Sequence, residues 1–181
     1  LAGLPPLKGI QSFGDKEIVI TAGNSCPTND GVTAALLMSE EKALALGLEP
    51  LARIAGIAVG GVKPQLMGLG PVVSSKKALA QAGIRAEQID RVEFNEAFAA
   101  QVLPSVRELG IPLDRVNVNG GSLAIGHPLG AEGAAAERRA LRSRHAVHRR
   151  GDGDLDRART PRLKGALTAA TAAGGPFSCP R

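Results

Sequence analysis

An alternation constrains the fold more tightly than anything else in this chain. Short apolar segments take turns with longer stretches that open on Ser or Asn and close on Gly. Residues 17–22 (Glu-Ile-Val-Ile-Thr-Ala) are β-branched and read as a strand. Gly23-Asn24-Ser25-Cys26-Pro27 is a turn, continued by Asn29-Asp30-Gly31. The apolar run 32–38 fits a buried strand or a buried helix turn, and periodicity leaves that choice open. Ser39 caps a helix over 42–48 that ends at Gly47. Residues 51–59 predict a strand buried on both faces, and 60–71 a loop. Ser74 and Ser75 open a helix to about Ala82, stopped by Gly83. Arg91–Phe94 is a short strand, after which Asn95 caps a helix over roughly 96–109, stopped by Gly110. Residues 115–118 read as a strand, 119–126 as a loop, and a helix is expected from about Pro128 or Gly130. Strands alternating with helices, each strand apolar, predict an α/β fold with a mostly parallel sheet covered on both faces. With no Trp or Tyr and four Phe, the core must be built from small aliphatic side chains.

The 181 residues suit one core rather than two. Charge divides them. Residues 1–135 hold 11 Lys and Arg against 13 Asp and Glu, a net of −2, whereas 136–181 hold 11 against 4, a net of +7. Ten of the fifteen arginines lie in that last stretch. The expected organisation is therefore a loop remnant at 1–14, a domain at 15–135 and a basic tail at 136–181. The tail loses all periodicity, and 165–175 is expected to be poorly ordered. A GC-rich gene read out of frame gives such a composition, and an intact frame on resequencing would dismiss that origin. No run of 18 apolar residues is present, so no membrane span is expected. The opening Leu1-Ala2-Gly3-Leu4-Pro5-Pro6 lacks an initiator methionine and both parts of a signal peptide. Cys26 and Cys179 form neither a disulfide framework nor a metal pair of short spacing, so a reducing, cytoplasmic setting and no metal are expected.

Two segments carry candidate chemistry. His127 sits in Gly126-His127-Pro128-Leu129-Gly130, ahead of the expected helix. A helix N-terminus disfavours imidazolium, and a neutral imidazole can take a proton or donate to a developing oxyanion. Flanking glycines allow close approach of a ligand. Asn95 stands where strand passes to helix. It can be an N-cap, or it can orient a water or an oxygen at the carboxyl edge of the sheet, and the residues leave both readings open. Glu96 reads as first-turn dipole compensation and Phe98 as packing.

Asn95-Glu96-Ala97-Phe98-Ala99-Ala100 and Val116-Asn117-Val118-Asn119-Gly120-Gly121-Ser122-Leu123-Ala124-Ile125-Gly126-His127-Pro128-Leu129-Gly130-Ala131 resemble the thiolase family. The resemblance extends through Thr21-Ala22-Gly23-Asn24, Asn29-Asp30-Gly31, Leu37-Met38-Ser39-Glu40-Glu41 and Met67-Gly68-Leu69-Gly70-Pro71, over about residues 15–134. It implies the C-terminal half of a five-layer αβαβα fold, lacking the last strand pair. It implies acyl-CoA acyltransferase chemistry: a cysteine thiolate takes up an acyl group, and a carbon–carbon bond is made or broken beside a thioester. His127 would activate that cysteine and donate to the thioester oxygen, and Asn95 would hold a water completing the oxyanion site. Asn24, Ser25, Cys26, Met67, Ala97, Phe98 and Gly126 would contact substrate; Asn24-Ser25-Cys26-Pro27 match the loop beside pantetheine, with Cys26 where the family usually has serine. CoA and its thioesters enter as substrates, and no cofactor is implied. Homo-oligomers are typical of the family but are not assumed for a half-fold.

The departures are equally specific. The acyl-accepting cysteine of the family lies in its N-terminal half, and Cys26 does not match it. The family's Cys-x-Gly motif has no counterpart after Ala134, since Cys179 is followed by Pro180 and Arg181. Little or no thiolysis is therefore expected of this polypeptide alone. A basic module holding CoA or nucleic-acid phosphates through its arginines is the alternative. It ranks well below, because the tail has one aromatic, Phe177, and no clear basic face. A third expectation, compatible with the first, is a half-fold that pairs or aggregates through an uncovered apolar edge.

Overall fold

The structure, a computed structural model, describes residues 3–8, 15–131 and 166–169. Its elements are α1 (Glu40–Ala45), α2 (Gly70–Ala82), β1 (Arg91–Phe94), α3 (Ala99–Leu109), α4 (Ser122–Ile125) and β2 (Ala166–Ala169). Tight 3₁₀ turns at Ala22–Asn24, Pro64–Leu69, Ala86–Gln88 and Leu113–Arg115 connect them.

The core lies where α2 and α3 meet β1. Val102, Val106 and Leu109 recur at helical spacing on α3 and are buried together with Val72 and Leu79 of α2. Val92 and Phe94, two apart on β1, join the same cluster, with Ile89 and Ile111 flanking them. Each such side chain contributes roughly 1.5–3 kcal/mol relative to exposure. Both helices stop as expected: Gly83 and Gly110 turn left-handed at φ +64 and +68, a conformation that favours glycine. Gly47, at φ +65, closes α1, whose Ser39 hydroxyl accepts from the Lys42 amide at 3.2 Å. Lys76 of α2 and Glu108 of α3 form an exposed ion pair at 2.7 Å.

Several expected elements come out differently. Helix α2 begins at Gly70, four residues ahead of Ser74, because Pro71 suits a first turn. Ser74 and Ser75 are instead buried inside it, and the Ser74 hydroxyl donates back to the carbonyls of Gly70 and Pro71. Residues 51–59 form no strand. Gly56 and Gly60 face α2 closely, an added Cβ meeting the Ala78 carbonyl and the Val73 side chain respectively. Ile57 and Val59, the alternate residues, point outward at 72% and 68% exposure. The segment alternates as a strand does, but among the described residues no strand runs beside it, so its outward face stays uncovered. The run 32–38 forms neither strand nor helix, and Val32 is 92% exposed. Residues 17–22 form no strand: they carry one isolated bridge, Pro6–Thr21, and the Leu7 amide donates to the Ile20 carbonyl. The strand expected at 115–118 shrinks to one parallel bridge, Val92–Val116, because Asn117 turns to φ +47. Where poor order was expected, Ala166–Ala169 pairs in parallel with Arg91–Phe94. An unpaired strand edge leaves amides and carbonyls that a short apolar stretch can satisfy. The rest of the basic tail lies outside the described residues.

Candidate active site

Strand β1 delivers the chain to Asn95 at its carboxyl end. Asn95 does not cap α3, contrary to one of its two sequence readings. The helix starts at Ala99 with Phe98 as N-cap, and no side chain caps it. The delay has a backbone cause. Phe98 forms an antiparallel bridge with Ser25, and the Cys26 amide donates to the Ala97 carbonyl at 3.1 Å. Phe98 is thereby held extended, and the Asn95 side chain is left to other partners.

The same loop holds His127. Thr28 and His127 form a parallel bridge, and the His127 amide donates to the Pro27 carbonyl at 3.0 Å. Gly126 is buried at φ +89 directly over the Asn29 carboxamide, where any Cβ would collide. Thr33 extends the contact, its hydroxyl donating to the Ala131 carbonyl at 3.0 Å. The helix expected from Pro128 or Gly130 does not begin by Ala131: residues 129–131 form a turn, and α4 lies ahead of His127 instead. The helix-N-terminus argument for a neutral His127 therefore finds no helix among the described residues.

These constraints bring Asn95 Nδ2 within 3.4 Å of His127 Nε2, both residues being half-buried. Behind the pair lies a polar frame that the sequence reading missed. Ser122, 1% exposed at the start of α4, accepts from the Glu96 amide at 3.0 Å and donates to Asn95 Oδ1. The Glu96 carboxylate accepts from the Leu123 amide at 2.9 Å and from Asn117 Nδ2 at 2.7 Å. Asn117 Oδ1 accepts from the Phe94 amide at 2.7 Å, while its Nδ2 also donates to the Phe94 carbonyl at 2.9 Å. Its carboxamide thus extends the single Val92–Val116 bridge to Phe94, which is paired in register with Ala169 of β2. Glu96, read from sequence as dipole compensation for the following helix, instead ties β1's exit to α4. The one available signal was the polar Asn117 within an apolar stretch.

The remaining expected contact residues divide. Ser25, Cys26, Ala97, Phe98 and Gly126 gather around the pair through the bridges above. Cys26 is half-buried and its sulfur is in no disulfide. Asn24 points away into its own turn, accepting from the Thr21 amide at 2.8 Å and donating to the Val19 carbonyl at 2.7 Å. Met67, 48% exposed on the Pro64–Leu69 turn, joins none of these bridges. That turn is fixed to α3 by the Ser105 hydroxyl donating to the Gly68 carbonyl at 3.3 Å. Among the described residues no group of three His, Cys, Asp or Glu could hold a metal ion, and no helix is long and apolar enough to cross a membrane. An amide NH2 beside an imidazole nitrogen, on a glycine-lined turn, can donate to one oxygen and exchange one proton.

The family model for the thiolase C-terminal domain matches residues 48–153. That match runs past residue 134, where the sequence reading ends the resemblance. A 3-oxoadipyl-CoA/3-oxo-5,6-dehydrosuberyl-CoA thiolase of Escherichia coli (strain K12) is 49% identical over 149 residues, 81% of this chain and 36% of that protein. An acetyl-CoA acetyltransferase of the same strain is 54% identical over 120 residues, 66% of this chain and 30% of that protein. Human mitochondrial 3-ketoacyl-CoA thiolase, solved in complex with CoA, superposes with a TM-score of 0.69 at 39% identity, covering 80% of this chain and 36% of that one. The chain thus spans about a third of the length of these relatives.

Proposed function

Because the chain belongs to the thiolase family, we propose that it is the histidine- and asparagine-bearing part of a thiolase-type acyl-CoA acyltransferase. The observation that carries the reading is the Asn95–His127 pair, 3.4 Å between Nδ2 and Nε2 and backed by Ser122, Glu96 and Asn117. His127 takes the proton of a cysteine thiol supplied by the portion of the fold that this chain does not include. The resulting thiolate attacks the thioester carbonyl carbon. The carbonyl oxygen, now negative, accepts from His127 Nε2 and from a water held by Asn95 Nδ2. As the tetrahedral centre collapses, the carbon–sulfur bond to CoA breaks, and the leaving CoA thiolate takes the proton from His127. In the second step the α-proton of another thioester passes to a base that this chain does not supply. The water held by Asn95 Nδ2 donates to the oxygen of the enolate so formed while its carbon attacks the acyl carbon and the cysteine sulfur leaves as thiolate.

The loop at 25–28 borders the pair and is the part of this chain that would lie along pantetheine, with Ala97, Phe98 and Gly126 beside it and Asn24 and Met67 further out. The central parallel sheet, covered on both faces, belongs to the complete fold. A cytoplasmic setting accompanies this reading. The polypeptide by itself binds CoA thioesters and turns them over little or not at all, because both reactive cysteines of the family lie outside its motifs. Titrating isotope-labelled chain with acetyl-CoA tests this. The Asn95 side-chain amide and the His127 ring resonances shift together, and Asn95→Ala abolishes the His127 response. Perturbation confined to other segments would contradict the assignment.

A further inference from the structure

The site contains a hydroxyl with one proton and two claims on its oxygen. Ser122 Oγ already accepts from the Glu96 amide at 3.0 Å, and Asn95 Oδ1 is the acceptor within reach of its proton. Resting on the reading of Asn95 and His127 as the thioester-oxygen site, we infer that Ser122 is a positioning residue that sets which end of the Asn95 carboxamide faces His127. Its proton holds Oδ1 toward α4, so the NH2 end is presented to His127 Nε2 at 3.4 Å. An amide nitrogen can only donate, so His127 Nε2 accepts, and the neutral ring carries its proton on Nδ1. This is the tautomer that a base working through Nε2 requires, and the same amide later offers its second hydrogen to the water at the oxyanion.

The reversed carboxamide is disfavoured by the surroundings. With Oδ1 toward His127, the Ser122 proton loses its acceptor at a position 1% exposed to solvent, and buried hydroxyl protons without acceptors are costly. The flip would also turn an acceptor toward the place where negative charge develops. Ser122 itself cannot shift to compensate. Its neighbour Leu123 is held by the Glu96 carboxylate at 2.9 Å, and Gly121 lies against Glu96 and Asn117 so closely that a Cβ has no room. The alignment therefore passes from Glu96 through Ser122 to Asn95 and then to His127.

The test is the protonation pattern of the His127 ring, read from long-range proton–nitrogen NMR spectra of the labelled full chain. His127→Gln identifies its signals among the three histidines. Wild type should show an unprotonated, pyridine-like Nε2 and a protonated Nδ1. Ser122→Ala should shift the tautomer ratio several-fold toward Nε2–H, and Ser122→Thr, which keeps the hydroxyl, should restore the wild-type ratio. A wild-type ring protonated on Nε2 overturns the inference outright, as does a Ser122→Ala ring with the wild-type ratio. If Ser122→Ala loses the dispersed Phe94 and Asn117 amide signals of the folded chain, the wild-type and Ser122→Thr spectra decide by themselves. A merely structural role for Ser122 would not move the tautomer ratio in a folded variant. No thioester enters this experiment, so Ser122 can fail while acetyl-CoA binding at Asn95 and His127 stands, and the converse is equally readable.

Discussion

Asn117 joins a left-handed backbone, φ +47, to three side-chain hydrogen bonds that hold β1's last residue and Glu96. Asparagine tolerates that conformation better than most residues. Asn117→Ala should cost about 2–4 kcal/mol, since it combines a strained φ with an orphaned Phe94 amide. Asn117→Gly should cost less, because only the hydrogen bonds are lost, and urea denaturation of the two variants side by side checks the order. Gly126→Ala forces φ +89 on a residue with a Cβ and drives it into the Asn29 carboxamide. We expect a loss of about 1–3 kcal/mol and a displaced His127 resonance. At this scale the sequence was half legible. Asn95 and His127 could be read from the residues around them. Ser122 and Asn117 could not, because each meets its partner across 27 and 23 residues and matters only once β1, α4 and the 25–28 loop converge.

Among the elements, α2 and α3 were the most readable, since glycines at 83 and 110 mark their ends by a conformation that a side chain resists. Strands were less so. A strand is defined by a partner, and residues 17–22, 51–59 and 115–118 have the right composition without a full neighbour among the described residues. Pro104 sits inside α3 on its exposed face and removes one helical hydrogen bond. Pro104→Ala should stabilise the chain by about 1–3 kcal/mol, somewhat less than the full proline penalty because the freed Ala100 carbonyl already faces water. A raised urea midpoint with an unchanged slope is the expected readout. Between the helices, the hydrogen bond and charge of Lys76 hold the Glu108 carboxyl below its ordinary value. A depressed carboxylate contributes above its unfolded value and loses that contribution as pH falls through its folded value. Lys76→Ala should return Glu108 to the ordinary carboxylate range in an NMR titration, and because the pair is exposed, salt should weaken the wild-type effect.

For the whole molecule, Leu51, Ile54, Ile57 and Val59 stand out as exposed apolar side chains on a stretch that forms no strand. These side chains are 57–76% exposed, although the sequence reads the segment as buried on both faces. Exposed apolar side chains grouped on one short stretch favour association. Sedimentation should show concentration-dependent self-association, and Ile57→Lys combined with Val59→Lys should reduce it without altering the Phe94 and Asn117 amide signals. The central claim is that Asn95 and His127 act together on a thioester oxygen, and completing the fold tests it most directly. Residues 15–131 replace the matching segment of the Escherichia coli acetyl-CoA acetyltransferase, and thiolysis of acetoacetyl-CoA is followed. The graft should turn over, and Asn95→Ala and His127→Ala should each lower kcat by roughly 10²–10³-fold. A folded graft that is inactive, or one that keeps its kcat without either side chain, would contradict the account.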